Sequence, residues 1–443
     1  MRADDDRDRT WPAPTAGGPV SAHIRLPASK SITNRALVLA ALSDGPARIA
    51  NPLRARDTLL AADALRAMGT AITDDAGTGW HLTAGQPAAG SRVGVDVGNA
   101  GTVMRFLPAV AALTSAAVHF DGDARARQRP IGPILAALRD LGARIDDGER
   151  GAVPFTVFGR GAVRGGTVTL DASGSSQLVS GLLLAAPRFD AGIEVRHEGP
   201  PVPSAPHIAM TVRMLRAAGA DVTELRPGAG GRPDAWQVRP GRLNLGTVAV
   251  EPDLSNAGPF LAAALVTAGT IVLPGWPADS LQAAGPILDV LTRMGARCGI
   301  GADGLTISGT GTIRGISADL RDVAELAPAL TAAAALAGTP SVFTGLAHTR
   351  GHETDRLAAL AKEINALGGD VTELPDGLAI TPRPLRAQAA GRPFGTYDDH
   401  RMVMAAAVLG LAVPGIRVAN AGTVAKTFPG FTHAWTEMLG QAP

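Results

Sequence analysis

Apolar residues recur along this chain with the spacing of helices, and one helical phrase returns at regular intervals. Its last turn is apolar and closes on a glycine, as in Leu138-Arg-Asp-Leu-Gly142. The six copies end at Gly69, Gly142, Gly219, Gly295, Gly368 and Gly440. Successive glycines are 73, 77, 76, 73 and 72 positions apart. Glycine commonly follows the last turn of a helix because it adopts the left-handed conformation without strain. We therefore predict six helices that end at these positions.

Short β-branched runs follow most of the first five glycines, such as the run at 220–223. A repeat of about 75 residues is too long for a solenoid of single hairpins and fits a unit with two helices and a few strands. Six such units divide most naturally into two lobes of three, with a boundary between Leu243 and Pro252. A cleft between two lobes is a favoured place for a binding site. The pattern thus predicts an α/β protein.

The composition narrows the classes of function. The chain has 443 residues, of which 46% are hydrophobic and 18% are charged, as expected for a globular protein of several domains. A net charge of +1 and an aromatic content of 4% argue against a nucleic-acid partner. The single cysteine, Cys298, excludes an internal disulfide and a cysteine-rich metal site.

Two segments bear on location. The charged segment Met1–Thr10 lacks the apolar core of a signal peptide. The most apolar segment, at 260–274, is broken by Gly269 and is too short to span a bilayer. We expect a cytoplasmic protein without membrane contact, in which residues 1–13 are disordered.

Lysine is rare in this chain, which has 41 lysine and arginine residues but only three lysines, at positions 30, 362 and 426. An ammonium group shifts its pKa readily and transfers protons, whereas a guanidinium stays charged. Chance explains an isolated lysine well enough. Lys30 and Lys426, however, stand in unusual polar segments, and we interpret them as retained for their chemistry.

Five further segments combine polar residues that a packed core does not require. They are Val97–Arg105, Arg125–Gly132, Asp171–Gln177, His348–Arg356, and Tyr397–Met402 taken with Ala425–Pro429. In the first, Asn99 or Thr102 can cap the following helix, whose free N–H groups suit an anion. Structural interpretations stay open for the others. The second can be a solvated basic turn, the third a serine N-cap, and the fourth a surface ion pair between Glu353 and Arg356.

Cationic residues from these segments form a set that is dispersed over both predicted lobes. Its members are Lys30, Arg35, Arg105, Arg129, Arg356, Arg401 and Lys426. Concentrated cations in a chain of nearly neutral net charge predict small, highly anionic substrates. The chain has no Gly-x-x-x-x-Gly-Lys-Ser/Thr loop and no clean Gly-x-Gly-x-x-Gly, so a nucleotide cofactor lacks support.

In order and spacing, the polar segments resemble the motifs of the EPSP synthases, the 3-phosphoshikimate 1-carboxyvinyltransferases. The matching motifs are Leu-Pro-x-Ser-Lys-Ser, Gly-Asn-Ala-Gly-Thr, Arg-Pro-Ile, Ser-Ser-Gln, Glu-Thr-Asp-Arg, Asp-His-Arg and Ala-Lys-Thr. The resemblance runs from about Pro19 to the C-terminus. It implies a two-lobed inside-out α/β barrel of six βαβαββ repeats, three per lobe. It places residues 14–27 and 252–443 in one lobe, residues 28–251 in the other, and the active site in the cleft between them.

The resemblance also implies a reaction, in which the enolpyruvyl group of phosphoenolpyruvate is transferred to the 5-hydroxyl of shikimate 3-phosphate. This step belongs to chorismate and aromatic amino acid biosynthesis and is the target of glyphosate. Glu325 would be the general base, Glu353 would protonate the methylene carbon, and Lys30 would contact both substrates. The residues expected to bind shikimate 3-phosphate are Lys30, Ser31, Arg35, Ser175, Ser176, Gln177, Ser204, Glu325 and His352. The residues expected to bind phosphoenolpyruvate are Lys30, Asn99, Gly101, Arg129, Gln177, Arg356, His400, Arg401 and Lys426. No metal or cofactor is implied, and we expect a monomer.

Five positions depart from the commonest family pattern. Ala28 replaces a glycine, Glu325 replaces an aspartate, and His352 replaces a lysine. His207 and His348 stand where tyrosine and asparagine are common. These changes bear on substrate affinity and pH dependence more than on the type of reaction.

Three other functions remain as alternatives. The sister enzyme that acts on UDP-N-acetylglucosamine typically carries a cysteine in the loop that corresponds to Asp123–Arg129, and here that loop has none. A paralogue could use another acceptor alcohol. A non-catalytic binding protein would be expected to have lost Lys30, the acid or the base, and this chain keeps all three.

Overall fold

The computed structural model describes residues 10–227 and 231–440, which form two compact units. The chain contributes to the first unit up to Pro27, builds the second unit as Ala28–Val250, and returns to the first at Glu251. The second crossing therefore lies one residue before the end of the predicted 28–251 range. Each unit is described on its own below.

Twenty-two β-strands occur in the described residues. They are β1 (Thr10–Pro12), β2 (Ser21–His23), β3 (Ala47–Ala50), β4 (Ala71–Asp74), β5 (Gly79–Thr83), β6 (Arg92–Asp96), β7 (Ala117–Asp121), β8 (Arg144–Asp146), β9 (Phe155–Phe158), β10 (Gly166–Leu170), β11 (Ile193–His197), β12 (Val222–Pro227), β13 (Pro233–Val238), β14 (Thr247–Ala249), β15 (Thr270–Leu273), β16 (Ala296–Gly301), β17 (Gly304–Gly309), β18 (Ser317–Asp319), β19 (Ser341–Thr344), β20 (Asp370–Leu374), β21 (Gly377–Thr381) and β22 (Arg417–Ala419).

Thirteen α-helices occur in the same residues. They are α1 (Lys30–Ala41), α2 (Arg56–Ala67), α3 (Gly101–Ala112), α4 (Gly132–Asp140), α5 (Ser176–Ala185), α6 (Ala205–Ala217), α7 (Gly258–Thr267), α8 (Ala284–Met294), α9 (Ala327–Ala335), α10 (Arg356–Ala366), α11 (Ala387–Ala390), α12 (His400–Gly410) and α13 (Phe431–Met438). Within the described residues, none of the helices has both the length and the apolarity needed to cross a bilayer.

Five of the sheets have four strands in the same arrangement. In one of them, β6 and β7 are adjacent parallel strands, and α3 connects them along the chain. Strand β9 pairs antiparallel with β7, and β8 pairs antiparallel with β9. Helix α4 follows β7, so the order along the chain is βαβαββ. The sheets around β3, β11, β15 and β19 repeat this arrangement. The predicted α/β class is confirmed.

Two of these sheets take a strand from outside their own repeat. Strand β14 pairs in parallel with β3, and β2 pairs in parallel with β15. In each case the added strand occupies the place that β6 has in its own sheet. In each unit, the sheet of the first repeat is thereby completed by a strand that is distant in sequence.

The sixth repeat is shorter than predicted. Its strand β22 bridges to Phe394 on one side and pairs with β1 on the other. The prediction that residues 1–13 are disordered is therefore wrong for Thr10–Pro12, because their backbone groups are paired with Arg417–Ala419. Trp11 also contacts Phe431 edge-on, with 6.5 Å between the ring centroids. Residues 1–9, to which the same prediction applies, lie outside the described residues.

The glycines of the repeated phrase do end helices. Helices α2, α4, α6, α8, α10 and α13 each end within two residues of one of them. All six glycines have a left-handed backbone, with φ between 66° and 112°. At Gly69 an added Cβ would also lie 2.5 Å from the carbonyl carbon of Gln86. The six predicted helix ends are confirmed.

Each repeat contains one helix that is buried on nearly all sides. Helices α1, α3 and α5 pack against one another in the second unit, and α7, α9 and α12 do so in the first. Every residue of α3 is buried, whereas β6 alternates between buried and exposed positions. Within each unit, the buried helices thus lie inside and the half-exposed sheets outside.

The polar segments lie at the N-terminal ends of these buried helices. Lys30 opens α1, Gly101 opens α3, Ser176 opens α5 and His400 opens α12. Glu325 lies in the 3₁₀ helix that leads directly into α9. The repeat therefore places polar residues at the starts of equivalent helices, where the first N–H groups of a helix favour negative charge.

Candidate active site

Lys30 is held by a buried carboxylate. Its Nζ lies 3.3 Å from Oδ2 of Asp57, whose side chain is 2% exposed. Asp57 belongs to the first turn of α2, where a negative charge also interacts favourably with the helix dipole. Since 23% of the Lys30 side chain stays exposed, its ammonium group remains accessible to a ligand.

Arg35 lies one turn further along α1 and is 1% exposed. Its Nε donates to Oγ1 of Thr211 at 2.7 Å, and its Nη atoms donate to the carbonyl oxygens of Ser31 and His207, both at 3.0 Å. Burial lowers the pKa of Arg35 to about 9. In this conformation Arg35 ties α1 to α6, so a substrate reaches its guanidinium only if these bonds rearrange.

Gly101 stands where three polar side chains converge. A Cβ on Gly101 would lie 2.8 Å from Nη1 of Arg105, 2.8 Å from Nη2 of Arg129 and 3.1 Å from Oε1 of Gln177. Arg105 also donates to Oε1 of Gln177 at 3.1 Å. Both arginines are 5% exposed. We call Gly101, Arg105, Arg129 and Gln177 the Gly101 cluster.

The arginines of the Gly101 cluster donate to neutral oxygens. Arg129 Nη1 lies 2.9 Å from the carbonyl oxygen and 3.0 Å from the side-chain oxygen of Asn99. Arg105 Nη2 lies 3.4 Å from the carbonyl oxygen of Pro130. Neutral acceptors compensate a positive charge less than a carboxylate does, so Arg129 keeps an attraction for anions.

The predicted cap of α3 is wrong. Its N-cap residue is Ala100, and among the described residues no side chain caps the helix. Asn99 accepts from Arg129 instead, and Thr102 accepts from Nδ2 of Asn34 at 2.7 Å. The first N–H groups of α3 therefore keep their capacity to bind an anion.

The serines of the predicted site lie at two helix starts. Ser175 is the N-cap of α5 and accepts from the backbone N–H of Gln177 at 3.2 Å, which confirms the structural interpretation of this residue. Ser176 follows it and is 3% exposed. Ser204 precedes α6 with φ at 52°. Serine rarely adopts this left-handed conformation, which often marks a functional position.

Of the three arginines at 125–129, only Arg129 joins the cluster. Arg127 pairs with Asp121 at 2.7 Å, with both side chains at least a third exposed. Arg125 donates to Gln128 on the surface at 3.0 Å. The interpretation as a solvated basic turn is correct for these two residues.

Arg356 is the centre of a second group of site residues, which lies in the first unit. Its Nε is 2.8 Å from Asp399, its Nη1 is 2.9 Å from Glu325, and its Nη2 is 3.1 Å from Glu353. Burial alone would lower the pKa of Arg356, but the three carboxylates raise it above its usual value. The alternative of a surface ion pair with Glu353 is wrong, because the two side chains are only 2% and 8% exposed.

Glu353 bridges two cations. Its Oε1 lies 2.5 Å from Nζ of Lys426, and its Oε2 lies 3.1 Å from Nη2 of Arg356. Lys426 ends the 3₁₀ helix Ala421–Lys426 and is 8% exposed. An anionic ligand that approached either cation would compete directly with this carboxylate.

Arg401 completes the group together with Glu325. Its Nε lies 3.2 Å from Oε2 of Glu325, and its Nη atoms donate to the carbonyl and hydroxyl oxygens of Ser255 at 2.6 and 2.7 Å. Burial tends to raise the pKa of Glu325, but Arg356 and Arg401 together hold it well below its usual value. Glu325 is therefore an anion at neutral pH and a weak base while both arginines contact it. We call Glu325, Glu353, Arg356, Asp399, Arg401 and Lys426 the Arg356 network.

Two histidines lie against this network. The rings of His348 and His352 meet edge-on with 5.5 Å between centroids. Nδ1 of His352 lies 3.1 Å from Nη1 of Arg356, and it accepts, since a guanidinium only donates. Burial and then the charge of Arg356 hold the pKa of His352 well below its usual value, and burial lowers the pKa of His348 to about 4. Both rings are thus neutral at pH 7. His400, next to Asp399, is 2% exposed.

The structure brings most of the predicted residues into groups within each unit. The residues that meet in or against the Arg356 network are Glu325, His352, Glu353, Arg356, His400, Arg401 and Lys426. Asn99, Gly101, Arg129 and Gln177 meet in or beside the Gly101 cluster. Lys30, Ser31 and Arg35 share the first turns of α1.

Comparison with known proteins decides the family. The chain matches the family model described as EPSP synthase (3-phosphoshikimate 1-carboxyvinyltransferase) over residues 14–435. The chain belongs to the EPSP synthase family. A 3-phosphoshikimate 1-carboxyvinyltransferase from Kocuria rhizophila is 49% identical to it over 98% of this chain and 97% of its own. The predicted family is confirmed.

Solved structures agree with this membership. EPSP synthase from Acinetobacter baumannii is similar with a TM-score of 0.77 at 26% identity, over 97% of this chain and 98% of that one. The enolpyruvyl transferase NikO from Streptomyces tendae has a TM-score of 0.72 at 20% identity over 96% of each chain. The second likeness is one of fold.

In this EPSP synthase family member, three residues that hold the site were missing from the sequence prediction. Asp57 fixes Lys30, Asp399 fixes Arg356, and Ser255 fixes Arg401. A signal existed for Asp399, which stands directly before a helical pattern, as an N-cap does. Ser255 is 146 positions from its partner, and no local pattern connects the two.

Proposed function

We propose that this protein transfers the enolpyruvyl group of phosphoenolpyruvate to the 5-hydroxyl of shikimate 3-phosphate, giving 5-enolpyruvylshikimate 3-phosphate and phosphate. The observation that carries the proposal is Glu353, a buried carboxylate between a lysine and an arginine. A carboxylate in this place can transfer a proton to a substrate that the two cations beside it hold. The 49% identical relative named for this reaction supports the same choice.

Phosphoenolpyruvate has a phosphate and a carboxylate group, and both can form charge-assisted hydrogen bonds with the cations of the site. Its proposed ligands are Arg129, Arg356, Arg401 and Lys426, with further contacts from Lys30, Asn99, Gln177 and His400. The absence of a side chain at Gly101 leaves room for close approach to the backbone of α3.

Shikimate 3-phosphate takes a different set of residues in this proposal. They are Lys30, Ser31, Arg35, Ser175, Ser176, Gln177, Ser204, Glu325 and His352. Arg35 contributes only if its bonds to Thr211 and His207 open, because it is 1% exposed. The two proposed substrate sets include residues of both units.

The reaction needs an acid at the methylene carbon of phosphoenolpyruvate and a base at the hydroxyl of shikimate 3-phosphate. Glu353 gives a proton to the methylene carbon, which leaves a cation-like centre at the neighbouring carbon. The hydroxyl oxygen attacks this centre, and Glu325 takes the hydroxyl proton. Phosphate then leaves, and the carboxylate of Glu353 takes back one proton from the new methyl group, which restores the double bond.

Substrate binding prepares both carboxylates for these roles. Glu325 and Glu353 contact Arg356, Arg401 and Lys426, and such contacts favour the ionised carboxylate. The anionic groups of phosphoenolpyruvate compete for the same cations. Once phosphoenolpyruvate holds these cations, both carboxylates lose part of their ion pairing, and Glu325 becomes a stronger base. The cations then stabilise the charge on the departing phosphate.

The proposal includes a monomeric enzyme in the cytoplasm. The only cysteine, Cys298, lies half-buried on β16, where burial raises the pKa of its thiol, so it is poorly suited to link two chains. Sedimentation equilibrium that gives the mass of one chain would support the monomer, and the mass of two would contradict it. Fractionation of the source cells tests the location.

Phosphate release from phosphoenolpyruvate, with and without shikimate 3-phosphate, tests the reaction. We expect release only with shikimate 3-phosphate, and a loss of at least about 100-fold in Lys30→Met and Glu353→Gln. Arg66→Met and Glu373→Gln are matched controls, since both side chains form exposed ion pairs in their respective units. Folded wild type that releases no phosphate would overturn the proposal. Release with UDP-N-acetylglucosamine instead would favour the sister reaction.

A further inference from the structure

Tyr397, the single tyrosine of the chain, is bound to a buried glutamate. Its hydroxyl donates to Oε1 of Glu363 at 2.5 Å, and Glu363 is 1% exposed. Oε2 of Glu363 also accepts from the backbone N–H of Gly395 at 3.0 Å. Arg392 contacts both carboxylate oxygens, at 2.7 and 2.9 Å. We call Glu363, Arg392 and Tyr397 the tyrosine clasp.

The clasp closes on a strained turn. Tyr397 and Asp398 have φ of 53° and 56°, the left-handed conformation that residues with side chains avoid. Two such residues in succession persist only where the surrounding structure determines them. The bonds of Glu363 to Tyr397, Gly395 and Arg392 provide this determination.

The next residue of the turn, Asp399, holds two of the proposed phosphoenolpyruvate ligands. Its Oδ1 caps α12 by accepting from the backbone N–H of Arg401 at 2.8 Å. Its Oδ2 accepts from Nε of Arg356 at 2.8 Å. A shift of this turn would therefore displace both guanidinium groups.

The third cation is connected to the same turn through Asp398. The carbonyl oxygen of Asp398 accepts from Oγ1 of Thr423 at 3.0 Å, and its side chain accepts from Nδ2 of Asn420 at 2.5 Å. Thr423 belongs to the 3₁₀ helix that ends at Lys426. One turn thus contacts the elements that carry Arg356, Arg401 and Lys426.

Helix α10 is bonded to this turn at two points. Arg356 and Glu363 are seven residues apart on α10, which is two helical turns or about 10 Å along one face. Arg356 bonds to Asp399 and Glu363 bonds to Tyr397. A rigid helix therefore fixes both ends of a three-residue stretch.

We propose that Glu363 and Tyr397 are positioning residues, which hold the turn Thr396–Asp399 and thereby set Arg356, Arg401 and Lys426 for the phosphate and carboxylate of one substrate. The inference rests on the proposed function, in which that substrate is phosphoenolpyruvate.

The protonation states agree with a closed clasp at neutral pH. Burial and the bond to Glu363 raise the pKa of Tyr397 to about 12, so its hydroxyl keeps the proton that it donates. Burial alone would raise the pKa of Glu363, but its bonds to Arg392 and Tyr397 hold it below the usual value.

Tyr397→Phe tests the proposal with the loss of one hydroxyl group. We expect the KM for phosphoenolpyruvate to rise about tenfold, because substrate binding must then order a turn that has lost a hydrogen bond to a charged group, with a smaller change in kcat. The KM for shikimate 3-phosphate should stay within about twofold. Glu363→Gln keeps the shape of the side chain and should act in the same direction. The double variant should resemble the single ones, because both changes open one clasp.

The unequal effect on the two KM values separates positioning from a merely structural role. Glu373→Gln removes an exposed ion pair of the same unit and should leave both KM values unchanged. Amide hydrogen exchange at residues 398–402 should be faster in Tyr397→Phe than in wild type. An active wild type with an unchanged KM for phosphoenolpyruvate in both clasp variants would overturn the clasp and leave the proposed function standing. If wild type has no activity, the proposed function fails, and unchanged exchange in Tyr397→Phe would overturn the clasp independently.

Discussion

The cations of the two groups of site residues have different kinds of partner. In the Gly101 cluster, the arginines donate to carbonyl and amide oxygens. In the Arg356 network, three cations lie against three carboxylates. The first arrangement keeps its attraction for an anion, whereas the second holds its charge in ion pairs that an anionic ligand must take over. Under the proposed function, the Gly101 cluster binds substrate, and the Arg356 network both binds substrate and transfers protons.

The greatest loss of activity should follow removal of Glu353, the proposed proton donor of the Arg356 network. Glu353→Gln should lower kcat by about 1,000-fold, within the range for loss of a general acid. The KM for phosphoenolpyruvate should stay the same or fall, because the amide no longer competes for Lys426 and Arg356. Steady-state kinetics measure both constants. A kcat within tenfold of wild type would show that Glu353 is not the acid.

A methyl group in the Gly101 cluster should affect binding instead. Gly101→Ala places a Cβ 2.8 Å from two guanidinium nitrogens, so the arginines must move. We expect the KM for phosphoenolpyruvate to rise by about 10- to 100-fold, equivalent to about 1.4–2.7 kcal/mol, with a smaller change in kcat. Gly94→Ala on β6 is the control, since nothing lies within 4 Å of its Cβ position. A fall in kcat alone would contradict a binding role for this cluster.

The smallest expected effect concerns the histidines beside the Arg356 network. The pKa of His348 is about 4 in the folded protein, against 6.5 for an ordinary histidine. The unfolded chain therefore binds a proton below pH 6.5 that the folded chain does not bind until about pH 4, and stability falls as the pH is lowered through this window. The stability that depends on a neutral His348 is fully present above pH 6.5.

Replacing this histidine should reduce the pH dependence of stability. In His348→Asn, the difference in free energy of unfolding between pH 7 and pH 5 should shrink by about 1 kcal/mol, after allowance for partial exposure. Urea unfolding at the two pH values measures it. His433→Asn, which replaces an exposed histidine on α13, should leave the difference unchanged. An equal difference in wild type and His348→Asn would show that His348 is not buried in its neutral form.

Local features of this protein were predictable from sequence. A left-handed glycine after a helix is a property of a few neighbouring residues, and all six predicted helix ends are correct. The polar segments at the starts of the buried helices could also be found, because each is a short run of neighbouring polar residues.

Features that depend on distant contacts were missed. The N-terminal strand β1 was expected to be disordered, yet Thr10 bonds to Arg417, which is 407 positions away. Asp57 and Glu363 look like ordinary helix-surface carboxylates in the sequence, and only the fold shows that they are buried beside Lys30 and Tyr397. Neither hydrophobic spacing nor a motif encodes such a pairing.

The fate of the methylene hydrogens of phosphoenolpyruvate is the clearest test of the role proposed for Glu353. If Glu353 protonates this carbon, a reaction in D₂O passes through a CH₂D group. Loss of a protium, rather than the deuterium, from that group leaves deuterium at the vinyl carbon of the product, which proton NMR detects. We expect deuterium at this carbon in the product of wild type and, over the same time, about 1,000-fold less deuterated product from Glu353→Gln. Product formed by wild type in D₂O without deuterium at this carbon would contradict the role proposed for Glu353.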